Sequence, residues 1–533
     1  MTTLFPAERG RALILNSLRG VLLAKILVIG AGVGGATAAA LLAKAGHAVT
    51  VLEAHVYPGG CAGTFYHQKY RFDAGATLAG GFQPGGPHDL VAQQLGITWR
   101  VQKAEPAWQV HLPDRMITQY GNPDFWHEES ARAFADSPQR DKILRFFRQN
   151  EQVSDAVWAF AARKPAWPPA GIGDLLRTGL ALRPDTLIAL PHLFETMGDW
   201  AHRSGITDRA ALTFLDAQLL ISAQTTSAHA SALFGAAATD LPRKGVTHPE
   251  GGIGGISNQL VEAIRANGGT VHFRQEVTRL EVKDNQIVAA HTNKGERYEC
   301  DICIANLTPW DLARLLGDAA PAKLRRETQT RPDQWGAFTV YLGVEDHEAR
   351  SEEREAIHPM PLAHHLPSTA DHFQVIRSYD EPLGETNSIF MSFSSPGDTK
   401  RAPPGHRALM ISTHTRAADW WALHAAPDDG VAYEARKDEY VERMIDQACT
   451  VIPDLRARIR LKLAGTPVTF RFYTRRHNGG VGGFAFTSLF SARGPWTGLR
   501  KAWLVGDSIF PGQSTAGVTM GALRVVDEVT RQL

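Results

Sequence analysis

Gly30-Ala31-Gly32-Val33-Gly34-Gly35 fits G-x-G-x-x-G, a spacing whose chemistry is the holding of a dinucleotide. Gly30 allows a tight turn, Gly32 lets the backbone approach a pyrophosphate, and Gly35 lets a helix pack closely on a strand. The surroundings suit that role. Ile26 to Ile29 reads as a buried strand, Ala36 to Ala43 as a small-residue helix, and Ala48 to Leu52 as a second strand ending at Glu53. The helix N-terminus favours phosphate charge. Glu53, 23 residues after Gly30, is placed to accept hydrogen bonds from both adenosine ribose hydroxyls and to disfavour a 2′-phosphate, and with it NADP. On these residues NAD and FAD both remain open. Gly59 and Gly60, six residues past Glu53, offer a second backbone approach to the same ligand. Near the other end, Trp503-Leu504-Val505 reads as a strand closed by Gly506-Asp507, with Gly517 to Gly521 opening a helix.

The run from Glu53-Ala54 through Gly59-Gly60-Cys61-Ala62 to Phe72-Asp73-Ala74-Gly75 resembles the flavoprotein superfamily of amine oxidases and phytoene desaturases. Its members carry a Glu, a Gly-Gly pair and Phe-Asp-x-Gly around FAD. The resemblance runs from Lys25 to Val529 and implies FAD as cofactor. It also implies an α/β fold: a Rossmann-type, glutathione-reductase-like FAD-binding domain interleaved with a substrate domain of mixed sheet plus helices. The implied cofactor residues are Gly30, Gly32, Gly34, Gly35, Glu53, Ala54, Gly59, Gly60, Cys61, Ala62, Val277, Gly506, Asp507, Gly517 and Val518. In the family, the carboxylate matching Asp507 binds the ribityl chain, and the backbone matching Val277 contacts adenine. The helix after Asp507 directs its N-terminus at the flavin, where negative charge develops on reduction. Asn306 matches the family's turn after a central strand.

Within that superfamily, Gly251-Gly252-Ile253-Gly254, Gly465-Thr466-Pro467-Val468-Thr469-Phe470 and Phe510-Pro511-Gly512-Gln513 are similar to the carotenoid branch. Many bacterial phytoene desaturases place an Arg after Gly-Gly, where it helps neutralise the flavin phosphates; this chain has Cys61. That departure looks like the isomerase and 3,4-desaturase subgroups, and the block Gly465 to Gly483, with Arg475, Arg476, His477 and Gly482-Gly483, looks like the 3,4-desaturase type. The resemblance therefore implies a carotenoid C-3′,4′ desaturase removing a hydride and a proton, with a cis-trans isomerase using reduced FAD, or a phytoene desaturase, as alternatives. A non-enzymatic FAD-binding protein of the Rab-escort type is disfavoured by the intact Gly506-Asp507. An apolar carotenoid is the expected substrate, with an electron acceptor that the sequence does not name. No catalytic acid or base is identified. His248, Trp310, Tyr341, His477 and Phe510 are candidates for lining a substrate tunnel, and Arg475-Arg476 reads equally as a phosphate contact or a solvated face.

These motifs need elements to hold them, and composition bounds what those are. The chain has 533 residues with 56 Lys+Arg against 55 Asp+Glu, a net charge of +1 that argues against a nucleic-acid partner. Hydrophobic residues make up 44%, enough for packed cores. Four cysteines cannot frame a secreted disulfide scaffold, so the expected location is cytoplasmic. Cys300-x-x-Cys303 lies in a strand-like stretch with no second pair, and no metal site is expected. The longest uncharged stretch, Ile26 to Ala43, is broken by four glycines and does not read as a membrane span. The segment from Ile172 to His202 mixes apolar residues with Arg, which suits either a helical lid or peripheral contact with a membrane surface. The expected organisation is an extension (1–24), FAD-binding segments at 25–110, 246–325 and 461–533, a helical substrate or membrane-contact segment at 111–245, and a substrate sheet at 326–460.

Overall fold

The computed structural model describes residues 23–332, 334–346, 370–396 and 398–533. The expected extension therefore lies outside the described residues up to position 22. The first layer is a five-stranded parallel sheet: β1 (Lys25–Ile29), β2 (Ala48–Leu52), β10 (Thr270–His272), β14 (Ile302–Ala305) and β20 (Ala502–Leu504), in the order β10-β2-β1-β14-β20. Ile29 sits beside Ala305, and Ala305 beside Leu504. Three strands separated by hundreds of residues thus end side by side. Helix α1 (Val33–Lys44) crosses from β1 to β2 and buries eleven of its twelve residues. Such burial needs small side chains, and its alanine run supplies them. Leu42 is fully buried, a burial that stabilises by about 2–3 kcal/mol.

The second large layer is a seven-stranded sheet. Its strands are β7 (Trp108–His111), β8 (Met116–Gln119), β15 (Trp335–Glu345), β16 (His372–Ile376), β17 (Ser388–Phe393), β18 (His406–Arg416) and β19 (Ile459–Gly465), ordered β19-β15-β18-β17-β16-β7-β8. Only β16 and β7 pair in parallel. Smaller pieces complete the strands: the hairpin β3 (Thr64–His67) with β4 (Tyr70–Asp73), the sheet β5 (Ala79–Gly80), β9 (Val246–Pro249) and β6 (Val101–Lys103), and the sheet β11 (Val277–Lys283), β12 (Gln286–Thr292) and β13 (Arg297–Glu299). Helices fill residues 123–244 around a separate core that includes Trp126, Phe146, Trp200 and Phe214.

Three boundaries differ from expectation. The segment begun at 111 as helical opens with β7 and β8, four-residue strands too short to show alternation. The seam at 460 falls inside β19. The C-terminal helix, α3 (Ser514–Gln532), starts before Gly517, so Gly517 and Val518 lie on it rather than at its entry.

The two bodies are joined at Asp73, the last residue of β4. Its carboxylate accepts hydrogen bonds from Thr64 Oγ1 (2.7 Å) and the Ile253 amide (2.8 Å), and pairs with Arg401 at 3.0 Å. Both charged side chains are almost fully buried. Gly252 runs through this cluster with φ +103, where a Cβ would lie 2.5 Å from both Asp73 Oδ1 and Thr64 Oγ1. Gly252→Ala combines backbone strain with that collision and is expected to cost about 2–4 kcal/mol, read as a lower urea midpoint. A midpoint equal to the parent's contradicts the assignment of Gly252 to this joint.

Candidate dinucleotide site

The first loop is built by close approach. Gly30, at φ +90, turns the chain out of β1, and a Cβ on Gly35 would stand 2.2 Å from the Gly30 carbonyl oxygen. No side chain caps the N-terminus of α1, so its leading amides are left for a ligand or water. Glu53 is fixed by the same loop: its carboxylate accepts the Ala31 amide at 2.7 Å and the His55 amide at 2.8 Å. Burial raises its pKa, and the His55, Ala31 and Ala54 amides work against that rise. Each carboxylate oxygen keeps a lone pair for another donor. The second glycine cluster sits directly on the first, with the Gly59 amide donating to the Ala31 carbonyl at 3.0 Å. Gly59 and Gly60 both hold positive φ, and the space above Gly60 is open. Cys61 and Ala62 finish this turn, and the Cys61 carbonyl accepts the Ala76 amide at 3.3 Å.

Asn306 joins the early loop to the late one. Its amide donates to the Ile29 carbonyl at 2.8 Å, and its side chain fills the space left by five glycines. A Cβ on Gly32 would come within 2.4 Å of Nδ2, on Gly34 within 3.2 Å of Oδ1, on Gly35 within 2.9 Å of the Asn306 Cβ, and on Gly506 within 2.9 Å of Oδ1; Gly30 approaches the Asn306 carbonyl. Val518 on α3 packs on Gly34 as well. Positions 30–35, 306, 506–507 and 518 therefore share one place. Val277 starts β11 just beyond Arg274 and Gln275, whose amides donate to the His55 and Glu53 carbonyls. That puts it beside the Glu53 turn rather than on the glycine loops.

Asp507 follows β20. Its carboxylate lies against Arg476, with Nη1 at 3.1 Å from Oδ1 and Nη2 at 3.0 Å from Oδ2. Arg475 points elsewhere, to Glu276 at 3.0 Å. Of the two readings of Arg475-Arg476, a solvated face does not describe Arg476. Around Asp507, Arg476 Nη2, Gln513 Oε1 and Thr515 Oγ1 are buried without an aligned hydrogen-bond partner. Buried polar atoms are ordinarily satisfied, so a polar ligand completing this set fits the residues present. Gln513 closes the Phe510–Gln513 motif, which gives its side chain no role, and Thr515 carries no sequence signal because a single polar residue at a helix start makes no motif.

The tunnel candidates divide. Phe510 packs on Phe486, which stacks on Phe234. Trp310 stacks on His477 and meets Phe484. Tyr341 is buried under the Gly75 turn, its hydroxyl donating to the Ala74 carbonyl at 2.7 Å. His248 is engaged away from the glycine loops, 2.9 Å from His372, which in turn contacts Ser392 at 2.7 Å.

Asn306→Gln adds a methylene where glycines leave room for one carboxamide. Overpacking of this kind costs about 1–3 kcal/mol. A lower melting midpoint together with weakened dinucleotide binding is expected, and unchanged values for both contradict the central placement of Asn306.

The chain has counterparts among known proteins. The family described as NAD(P)-binding Rossmann-like domain matches residues 28–94. Prolycopene isomerase 1 of an Oncidium hybrid cultivar is 26% identical over 518 residues, covering 95% of this chain and 84% of that one. A 4,4′-diapophytoene desaturase of Methylomonas is 23% identical, covering 91% of each chain. Among solved structures, an oxidoreductase from Methanosarcina mazei superposes with a TM-score of 0.63 at 20% identity, over 94% of this chain and all of that one. Putrescine oxidase superposes with a TM-score of 0.61 at 14% identity, over 95% and 99%. The last two show a shared α/β fold. Over more than nine-tenths of its length the chain is thus similar to prolycopene isomerases and to a diapophytoene desaturase, and its glycine loop lies within the part matched by the Rossmann-like family.

Proposed function

We propose that the chain binds FAD and alters the double bonds of a carotenoid. One juxtaposition carries the substrate class. The loop from Phe484 to Phe490 begins beside the cofactor helix, where the Phe484 carbonyl accepts the Gln513 side-chain amide. It continues through Phe486, which packs on Phe510 and Phe234, and ends at Phe490, which stacks on Phe194 and meets Trp167. A run of rings from the flavin motif to the surface suits an extended apolar molecule better than a polar one.

Bound FAD supplies a two-electron carrier. The protein's own residues do the rest by position. Glu53 and the α1 N-terminus hold the nucleotide end, Asp507 and the Gly59-Gly60 turn hold its middle, and the aromatic loop keeps a polyene aligned and water away. A hydrocarbon needs no strong acid or base, and alignment alone can lower a barrier by several kcal/mol. The Gly465–Gly483 block and the Methylomonas relative support desaturation; the prolycopene isomerase relatives support isomerisation.

Flavin absorption bands in the purified protein, followed by product analysis in cells accumulating defined carotenoids, test this reading. A product two hydrogens lighter supports desaturation, and a changed cis-trans ratio at constant mass supports isomerisation. No change in any carotenoid refutes the substrate class.

We further propose a lipid bilayer as the partner of the surface where those rings emerge. Helix α2 (Ile172–Ala181) is amphipathic in the reverse sense. Asp174 and Arg177 turn toward the protein, Asp174 lying 3.8 Å from Arg524 and Arg177 Nη1 being buried. Ile172 (77% exposed), Leu176 (64%), Leu180 (79%) and Phe194 (82%) face outward. Exposed Lys164 and Arg183 flank them. An apolar face with cationic edges matches the interface of anionic lipid. No helix among the described residues is long and apolar enough to cross a membrane. Leu176→Glu with Leu180→Glu is expected to abolish co-sedimentation with anionic vesicles while leaving FAD content unchanged; retained sedimentation refutes the lipid assignment.

A further inference from the structure

Asp507 sets an electrostatic problem. Its neighbour Gly506 packs against Gly34 on the first turn of α1, where a Cβ would stand 3.0 Å from the Gly506 nitrogen. That turn is where the fold receives a diphosphate, and a carboxylate beside it opposes the same charge. Arg476 answers it across two short contacts, 3.1 and 3.0 Å, with both side chains less than a fifth exposed. The loop that brings Arg476 in is held tightly. Arg476 Nε donates to the Gly480 carbonyl at 2.8 Å, and Gly483 lies so close to Asp507 that a Cβ there would meet its carbonyl oxygen at 2.2 Å.

Two further observations aim this guanidinium at the ligand. Nη2 is near Asp507 Oδ2 but not aligned with it, so an N–H is unspent although buried. Cys61, on the second glycine turn, is close enough for Arg476 to work against the rise in thiol pKa that burial causes. The guanidinium thus contacts Asp507 within electrostatic reach of the Gly59–Cys61 turn.

We propose that Arg476 is a diphosphate-binding residue of this site, cancelling the Asp507 charge and giving its unaligned Nη2–H to a phosphate oxygen. The proposal rests on the reading that the chain binds FAD. A fork-shaped donor suits this task, because guanidinium pairs with phosphate and carboxylate together in a way an ammonium does not.

Titration of the flavin-stripped full chain tests it, using FAD and riboflavin fluorescence and competition by ADP. Arg476→Gln is expected to weaken FAD and ADP at least tenfold and riboflavin less than twofold. Arg475→Gln, whose partner is Glu276, is expected to bind all three like the parent. Adding Asp507→Asn to Arg476→Gln is expected to restore part of the ADP affinity by removing the uncompensated charge. Unchanged FAD affinity in Arg476→Gln, or riboflavin falling in step with FAD, overturns the assignment. Should Arg476→Gln not fold, Arg476→Lys decides: a severalfold loss confined to FAD and ADP supports the role, and any other pattern overturns it. A parent chain that binds none of the three removes the FAD reading together with this assignment, whereas loss confined to the variants leaves that reading intact.

Discussion

Everything at this site depends on how closely three strand ends approach one carboxamide. Strands β1, β14 and β20 stop side by side, and the Asn306 side chain occupies the space that Cβ atoms on Gly32, Gly34, Gly35 and Gly506 would take. Protein interiors are packed too densely for such an arrangement to be loose. The glycines are thus required twice, once so that backbone can approach a diphosphate and once so that the two glycine motifs can approach each other. Without the second requirement, Gly506-Asp507 would be a strand end far from the first loop, and no single ligand would span them.

The second constraint is the buried charge at Asp73. A buried pair gains less than its Coulomb attraction suggests, because both groups lose water. The value of this one lies in geometry. Asp73 binds Thr64, the Ile253 amide and Arg401 at once, so the hairpin after the second glycine turn, the entry to the helix at Gly255–Ala266 and the loop joining β17 to β18 of the large sheet have one relative placement. The aromatic loop from Phe484 to Phe490 can then be aimed, since the body that carries it and the body that holds the nucleotide are fixed to each other.

What could be read from the sequence followed the range of the interactions. The β1 turn, α1 and Glu53 are legible because each is set by neighbours within about one βαβ unit. The Gly59-Gly60 turn and the Gly506-Asp507 strand end are legible as local glycine patterns. Strands β16 and β17 are legible by their runs of β-formers. The hairpin β7–β8 is not, because four-residue strands around Pro113 and Asp114 show no period. The central place of Asn306 was out of reach for another reason: it packs against residues some 270 positions before it and 200 after it. Arg476 has the same difficulty. Beside Arg475 it looks like half of a surface pair, and only the fold separates the two, one to Asp507 and one to Glu276. The domain seams near 111 and 460 missed for a related reason, since β7 and β19 are recruited by a sheet whose other strands lie far along the chain.

The strand order β2-β1-β14-β20 has a consequence for how this chain is made. Its central strand is synthesised first, its neighbour β14 some 270 residues later, and its edge strand β20 about 200 residues after that. Domains fold as units while synthesis proceeds from the N-terminus. Here the five-stranded sheet cannot close until β20 has appeared, some 470 residues after β1, and β1 with its apolar flank must wait against an incomplete sheet. A ligand that binds only the closed form stabilises it by mass action. Nucleotide capture would therefore require that β20 has joined the sheet and that both intervening insertions have found their places.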